Sequence, residues 1–343
     1  MSTGEQISAG GGKLAGSISP SWSAASPLGI AAIIFAALAI LPLVASAAGD
    51  SFLLVIATRI MIFAIAALSL DLILGYGGMV SFGHAAFIGI GAYTVGIMAK
   101  HGVTDYALQA LTAIAASSLF ALVTGAICLR TRGVYFIMIT LAFGQMAFFF
   151  MVSLSAYGGD DGLTLASRST IAGHHALDNN WVFHYFVLAL LIGFFILART
   201  IIAARFGRVL RGIHDNPERM RAIGFSLFPY QLVAYCIAGA MAGIAGTLLA
   251  NQAEFVSPAY MSWQRSGDLI VMVVLGGMGT LTGPIIGAAG LLLLEELLPG
   301  FSEHWKLGLG VILIVIVLFS RGGIVDFLKR VSPKQQPAEG HDG

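Results

Sequence analysis

Arg205-Phe-Gly-Arg208-Val-Leu-Arg211-Gly-Ile-His214-Asp215-Asn216-Pro217-Glu218-Arg219-Met220-Arg221-Ala-Ile-Gly224 is a polar island in an apolar chain. It separates two segments, about 183–203 and 230–252, that are long enough to cross a bilayer as helices. Five of the eighteen Lys and Arg residues of the chain fall within it. A basic loop of this length between membrane helices belongs on the cytoplasmic side. The island also carries the punctuation of a short helix: Asn216 as N-cap, Pro217 at the first helical position, Glu218 in the first turn and Gly224 as the C-terminal stop. A membrane protein with a small helix on its inner face presents something there that another protein can push.

Composition agrees. The 343 residues are 57% hydrophobic and 10% charged, with a mean hydropathy of +0.88. Soluble domains carry about 25% charged residues, so the chain is an all-α integral membrane protein in contact with a lipid bilayer. Apolar runs place about ten transmembrane or partly re-entrant helices at 28–48, 52–75, 80–99, 107–129, 134–153, 182–203, 230–252, 268–281, 284–298 and 305–321. With the N-terminus inside, thirteen Lys and Arg residues fall on the cytoplasmic side and four (Lys100, Arg168, Arg265, Lys306) outside. That bias fixes the orientation and leaves both termini cytoplasmic. Arg59 is left within a span, from which its head can snorkel outward.

Three stretches are less decided. Segments 268–281 and 284–298 are short, and read as two short spans in preference to a re-entrant pair. Residues 1–27 are Gly/Ser-rich and read as a disordered tail, residues 322–343 as a second tail, with the transmembrane domain at 28–321 between them. Segment 28–48 ends in Ala45-Ser46-Ala47, which resembles a signal-peptidase site, but its apolar stretch is longer than a usual h-region and favours a retained first helix.

Several chemistries have no residues to carry them. The chain contains no G-x-x-x-x-G-K-[ST], so it builds no phosphate loop for ATP. It contains no H-E-x-x-H and no G-x-S-x-G either. His174-His175, in an outer loop, reads as surface and not as a metal site; Cys128 and Cys236 read as small buried hydrophobes. No basic-aromatic pattern points to nucleic acid. No catalytic residues are assigned, and transport is the function left.

Two apolar stretches are broken by glycine. Leu74-Gly75-Tyr76-Gly77-Gly78-Met79-Val80-Ser81-Phe82-Gly83-His84 and Leu275-Gly276-Gly277-Met278-Gly279-Thr280-Leu281-Thr282-Gly283-Pro284 share a Gly-Gly-Met core followed by a hydroxyl residue and a Gly. Unwound backbone at membrane depth is tolerated only where protein or a water-filled cavity satisfies its polar groups. Such breaks at corresponding places in two halves point to a translocation path; ordinary turns between short helices are the alternative. Gly77, Gly78, Gly276 and Gly277 are therefore candidate path residues, with Ser81 and His84 near a helix start where a positive dipole end can meet an anion. Asp71 and Gln145 join them as polar residues inside spans. For Asp71 a structural hydrogen bond competes with path lining, and a helix–helix hydrogen bond suffices for Gln145.

These blocks, with Arg132-Gly-Val-Tyr-Phe-Ile-Met-Ile-Thr-Leu-Ala-Phe-Gly144, Gly158-Gly-Asp-Asp-Gly-Leu163 and Gly207–Gly224, resemble the membrane permeases of branched-chain amino-acid ABC importers, the LivM-like family, in the family's order from about 70 to 298. The resemblance implies an ABC importer permease fold in a bacterial inner membrane. It also implies four kinds of partner: a second homologous permease subunit, two cytoplasmic ATPase subunits, a periplasmic substrate-binding protein and the bilayer. No cofactor would be bound by this chain, since ATP and Mg would sit on the ATPases. On this resemblance 204–228 is a coupling loop. Asp215, Asn216, Pro217, Glu218, Arg219, Met220, Arg221 and Gly224 would meet the ATPase, with Met220 and Ile223 as apolar anchors. The 154–180 loop would face the binding protein through Asp160 and Asp161. Two departures stand out: Gln145 replaces a frequent Glu, and Pro217–Gly224 is a loose form of the family's inner-face motif. Urea, short amides and aromatic acids are alternative substrates within the family, and a stand-alone secondary transporter is the competing class.

Overall fold

The computed structural model describes residues 25–49, 51–300 and 304–319. Each apolar run of the sequence becomes a helix: α1 (Ala25–Ala48), α2 (Ser51–Leu74), α3 (His84–Lys100), α4 (Tyr106–Cys128), α5 (Val134–Ser153), α6 (Asn180–Ala203), α9 (Leu227–Ala253), α10 (Trp263–Gly276), α11 (Gly283–Leu297) and α12 (Trp305–Phe319). Two further helices, α7 (Arg205–Asp215) and α8 (Pro217–Ala222), form the polar island. Strand among the described residues is confined to a two-residue ribbon, Leu163–Thr164 against Phe255–Val256. The protein is an all-α, multi-pass membrane protein, and seven of its helices are long and apolar enough to span by length and composition.

Several boundaries differ from the sequence reading: α3 begins at His84 and not at 80, and α9 at Leu227 and not at 230. Helix α1 begins at Ala25, inside the expected tail, and the remaining tail residues lie outside those described. Helix α10 begins at Trp263 and not at 268, so Arg265 and Asp268 are helical. Gln264, Arg265 and Ser266 interrupt the hydropathy signal ahead of 268, which is why the sequence hid the first turn. Helix α7 lies within the expected 204–228 loop; its apolar residues Gly207, Leu210 and Ile213 recur at helical spacing and are buried, with arginines between them.

Helices α2 and α9 form the centre, buried along most of their length, whereas α1, α5 and α6 expose broad apolar faces suited to lipid. Packing at the centre is backbone against backbone. A Cβ on Gly91 of α3 would lie 1.9 Å from the Gly243 carbonyl oxygen of α9, and one on Gly246 would lie 1.9 Å from that of Ile88. Lipid supplies no hydrophobic force between helices, so this close approach of small residues is what holds the pair. A buried histidine ties a second group together: His184 of α6 meets Thr58 Oγ1 of α2 at 3.0 Å and the Leu38 carbonyl oxygen of α1 at 3.0 Å.

At the end away from the polar island, the 154–180 loop is folded onto the helices. The Ser169 N–H donates to Asn251 Oδ1 at 2.7 Å and the Tyr106 N–H to the Thr170 carbonyl at 2.8 Å. Arg168, 8% exposed, lies 3.3 Å from a Glu254 carboxylate oxygen and 4.8 Å from the centre of the Phe183 ring.

Candidate functional site

The first glycine break begins where α2 ends. The Gly75 and Tyr76 N–H groups both donate to the Asp71 carbonyl (2.8 and 3.2 Å), and Met79 N–H returns to the Ile73 carbonyl at 2.9 Å. Gly78 takes a φ of +66°, where a side chain is strained. The chain then runs through Val80–Gly83 without helical structure, and α3 starts at His84. This stretch lies within the helix layer. Phe82 N–H donates to Thr140 Oγ1 at 3.3 Å, and Thr140 sits six residues into α5, about 9 Å along it. His84 Nε2 pairs with Ser69 Oγ at 2.8 Å, five residues before the end of α2. Ser81 and His84 are fully buried, Ser81 beside the Tyr235 hydroxyl.

The second break repeats the plan. Helix α10 stops at Gly276, Gly277 follows at φ +117°, and α11 restarts at Gly283. The hairpin is so tight that a Cβ on Gly276 would lie 1.8 Å from the Gly283 carbonyl oxygen. The two breaks touch. Asp71 Oδ1 accepts the Gly279 N–H at 2.8 Å across 208 residues of sequence, and Asp71 is fully buried. A Cβ on Gly75 would fall 2.1 Å from that same oxygen and 2.3 Å from the Gly279 nitrogen. The Asp71 carboxylate thus ties the end of α2, where the first break begins, to the backbone of the second break.

The polar island rests on this latch. Arg208 and Arg211 donate to the Ala203 and Ile202 carbonyls (3.0 Å each), satisfying the orphan acceptors at the end of α6. The Arg211 guanidinium also lies 5.4 Å from the centre of the Tyr76 ring. His214 meets the first break directly: a Cβ on Gly78 would be 2.4 Å from its Cδ2. Helix α8 follows, capped by Asn216, whose Oδ1 accepts the Arg219 N–H at 2.9 Å, and it is closed by Gly224 at φ +98°. Glu218 lies 3.2 Å from Arg221 and 4.0 Å from Arg132. A cavity of about 200 Å³ opens between these parts, lined by Gly77, Gly78, Arg132, Phe136, His214 and Pro217 among others. A chain of contacts therefore runs from α8 through α7 to the first break, and through Asp71 to the second.

The structure brings Asp71, Gly77, Gly78, Ser81, His84, Gly276 and Gly277 into one region, and Asp215–Gly224 to its outer edge. Gln145 is half-buried on α5, next to Gly144, which packs on Gly83 of the first break. Asp160 and Asp161 lie at the opposite end, exposed in a turn whose flanking Gly158, Gly159 and Gly162 all have positive φ. Met220 is half-buried and packs on Gly212 of α7, and Ile223 is 64% exposed at the island's tip. The contacts of Arg211 with Tyr76 and of His214 with Gly78 were not legible in the sequence, because those partners lie more than a hundred residues away.

Residues 52–319 match the family described as the permease component of branched-chain amino acid transport systems. The chain is 28% identical over 298 residues to the high-affinity branched-chain amino acid transport system permease protein LivM of Escherichia coli, covering 79% of this chain and 69% of that one. It is 24% identical over 283 residues to the permease protein BraD of Pseudomonas aeruginosa, covering 77% and 91%. A shorter likeness, 29% over 151 residues and 40% of this chain, connects it to the autoinducer 2 import system permease protein LsrC of Photorhabdus laumondii. No solved structure matches the chain.

Proposed function

The chain belongs to the permease family of branched-chain amino-acid ABC transporters, and from that premise we propose that it is the membrane-spanning subunit of an importer for branched-chain or related hydrophobic amino acids. The likeness to LivM and BraD runs over most of each chain, whereas the likeness to the autoinducer permease covers less than half; this favours the amino-acid substrate. The chain is a transport subunit. Its energy comes from two cytoplasmic ATPase subunits, which hold ATP and Mg. A second homologous permease completes the membrane part, and a periplasmic binding protein docks over the 154–180 loop near Asp160 and Asp161. The excess of Lys and Arg supports a cytoplasmic location for the polar island, and the likeness to bacterial permeases supports an inner membrane.

The single observation that carries the mechanism is the contact of His214 with Gly78, with Asp71 joining that break to the next. A helix resists bending because each residue is held by its ladder; an unwound stretch yields where helices do not. ATP-driven closure of the ATPases pushes α8 and, with it, α7. His214 and Arg211 press on the first break, and the Asp71 latch carries the displacement to Gly279. Helices α3 and α11, which start at the two breaks, then shift together and open the path on one side.

Gly78→Ala tests this in proteoliposomes holding the full complex. The added methyl meets His214 at a φ unsuited to it, so the variant should hydrolyse ATP in response to loaded binding protein yet lose uptake about tenfold, equivalent to ~1.4 kcal/mol in the transport barrier. Uptake equal to the wild type would overturn the mechanism.

A further inference from the structure

Four charged side chains meet at the middle of the helix layer, away from the glycine breaks. Arg59 and Arg265 each place a guanidinium 5.9 Å from the centre of the Phe63 ring. Arg265 Nη1 donates to Asp268 Oδ2 at 3.3 Å. Glu295 of α11 interacts electrostatically with Asp268, Arg265 and Arg59. Phe63 is the thirteenth of the 24 residues of α2, about 18 Å from its start and about 16 Å from its end. Arg59 lies over Phe63, and Arg265, which the sequence groups with the charges outside the membrane, lies over the same ring.

Two observations say that this cluster faces something other than lipid or its own chain. The Arg265 and Asp268 side chains are 33% and 35% exposed, and charges within a span are costly unless they face protein or a water-filled cavity. Between them in sequence stands Gly267, where an added Cβ would meet nothing within 4 Å. Glycine is a poor helix former, and no neighbour among the described residues requires one there. The notch beside the charges is open. Helix α10 also links the cluster to the latch, since it carries Arg265 and Asp268 near its start and ends at the second break. Any displacement of Gly279 is thereby felt at the cluster.

Two cations and two anions flanking an apolar ring and a notch match the two charged ends of an α-amino acid and its short apolar side chain. We propose that Arg59, Arg265, Asp268 and Glu295 line the translocation path at mid-membrane and transiently hold the carboxylate and ammonium groups of a passing zwitterionic amino acid. The proposal rests on the import reading above and names the part of the substrate that the membrane subunit reads. The carboxylate takes the place of Asp268 beside Arg265 and Arg59, and the ammonium pairs with the released Asp268 and with Glu295. No new charge enters the membrane unpaired.

The test places a cysteine at Gly267 in a chain with Cys128→Ala and Cys236→Ala, assembled in the full complex in proteoliposomes. The site has room for the side chain. A water-soluble methanethiosulfonate reagent should modify it. Leucine should slow the modification, and N-acetyl-leucinamide, of similar shape but without either charge, should not. Asp268→Asn should weaken the leucine protection about tenfold; should that variant fail to assemble, Glu295→Gln gives the same reading. No modification, or equal slowing by leucine and its neutral derivative, would overturn the proposal. Uptake by the unmodified complex with its binding protein is measured in parallel. Its absence would instead sink the import reading, whatever the labelling showed.

Discussion

Asp71 joins the two glycine breaks through one side-chain oxygen. Its Oδ1 is the acceptor for Gly279 N–H, so the latch needs an oxygen at that place and not a charge. Asp71→Asn should retain it, leaving thermal stability in detergent within about 1 kcal/mol of the wild type. Asp71→Ala strands a buried N–H, and should lose about 1–3 kcal/mol, read as a lowered Tm by fluorescence-detected size exclusion. Equal Tm values for the two variants would show that the hydrogen bond is not what joins the breaks. The sequence singled out Asp71 as costly in a span, but left its role open between a structural bond and the path. Its partner is 208 residues distant, and no local pattern reports a contact of that kind.

At the scale of elements, hydropathy located all ten long helices, because burial in lipid forces a contiguous apolar run on each. It failed where polar residues interrupt the run. Gln264, Arg265 and Ser266 concealed the first turn of α10, and the arginines of α7 concealed an amphipathic helix within the expected 204–228 loop. Cap chemistry did better: Asn216, Pro217 and Gly224 marked α8 closely, since each satisfies or permits one local backbone geometry. That geometry makes the helix testable. Gly224→Val forces a β-branched residue to φ +98°, a strain of about 1–3 kcal/mol with no neighbour to clash. It should distort the tip while the membrane helices stay intact, giving normal monodispersity, persistent ATP hydrolysis and impaired uptake. Gly246→Val should act in the opposite way. Its side chain would meet the Ile88 carbonyl, separating α3 from α9, and the protein should be lost from the membrane fraction.

For the molecule as a whole, the account assigns opposite ends to opposite tasks. The polar island and both glycine breaks lie together at one end, and the 154–180 loop, strapped down through Arg168, Ser169 and Thr170, lies at the other. A single cysteine at Asp160 should react with an impermeant reagent from the periplasmic side only, and one at Arg219 from the cytoplasmic side only; labelling from the same side would dismantle the topology. The central claim concerns what touches α8. A photo-crosslinker placed at Ile223, the exposed apolar tip of the island, tests it in native membranes. The account predicts an adduct between this chain and an ATPase subunit, with a yield that changes when ATP is trapped. An adduct with the binding protein, or none with any polypeptide, would contradict it.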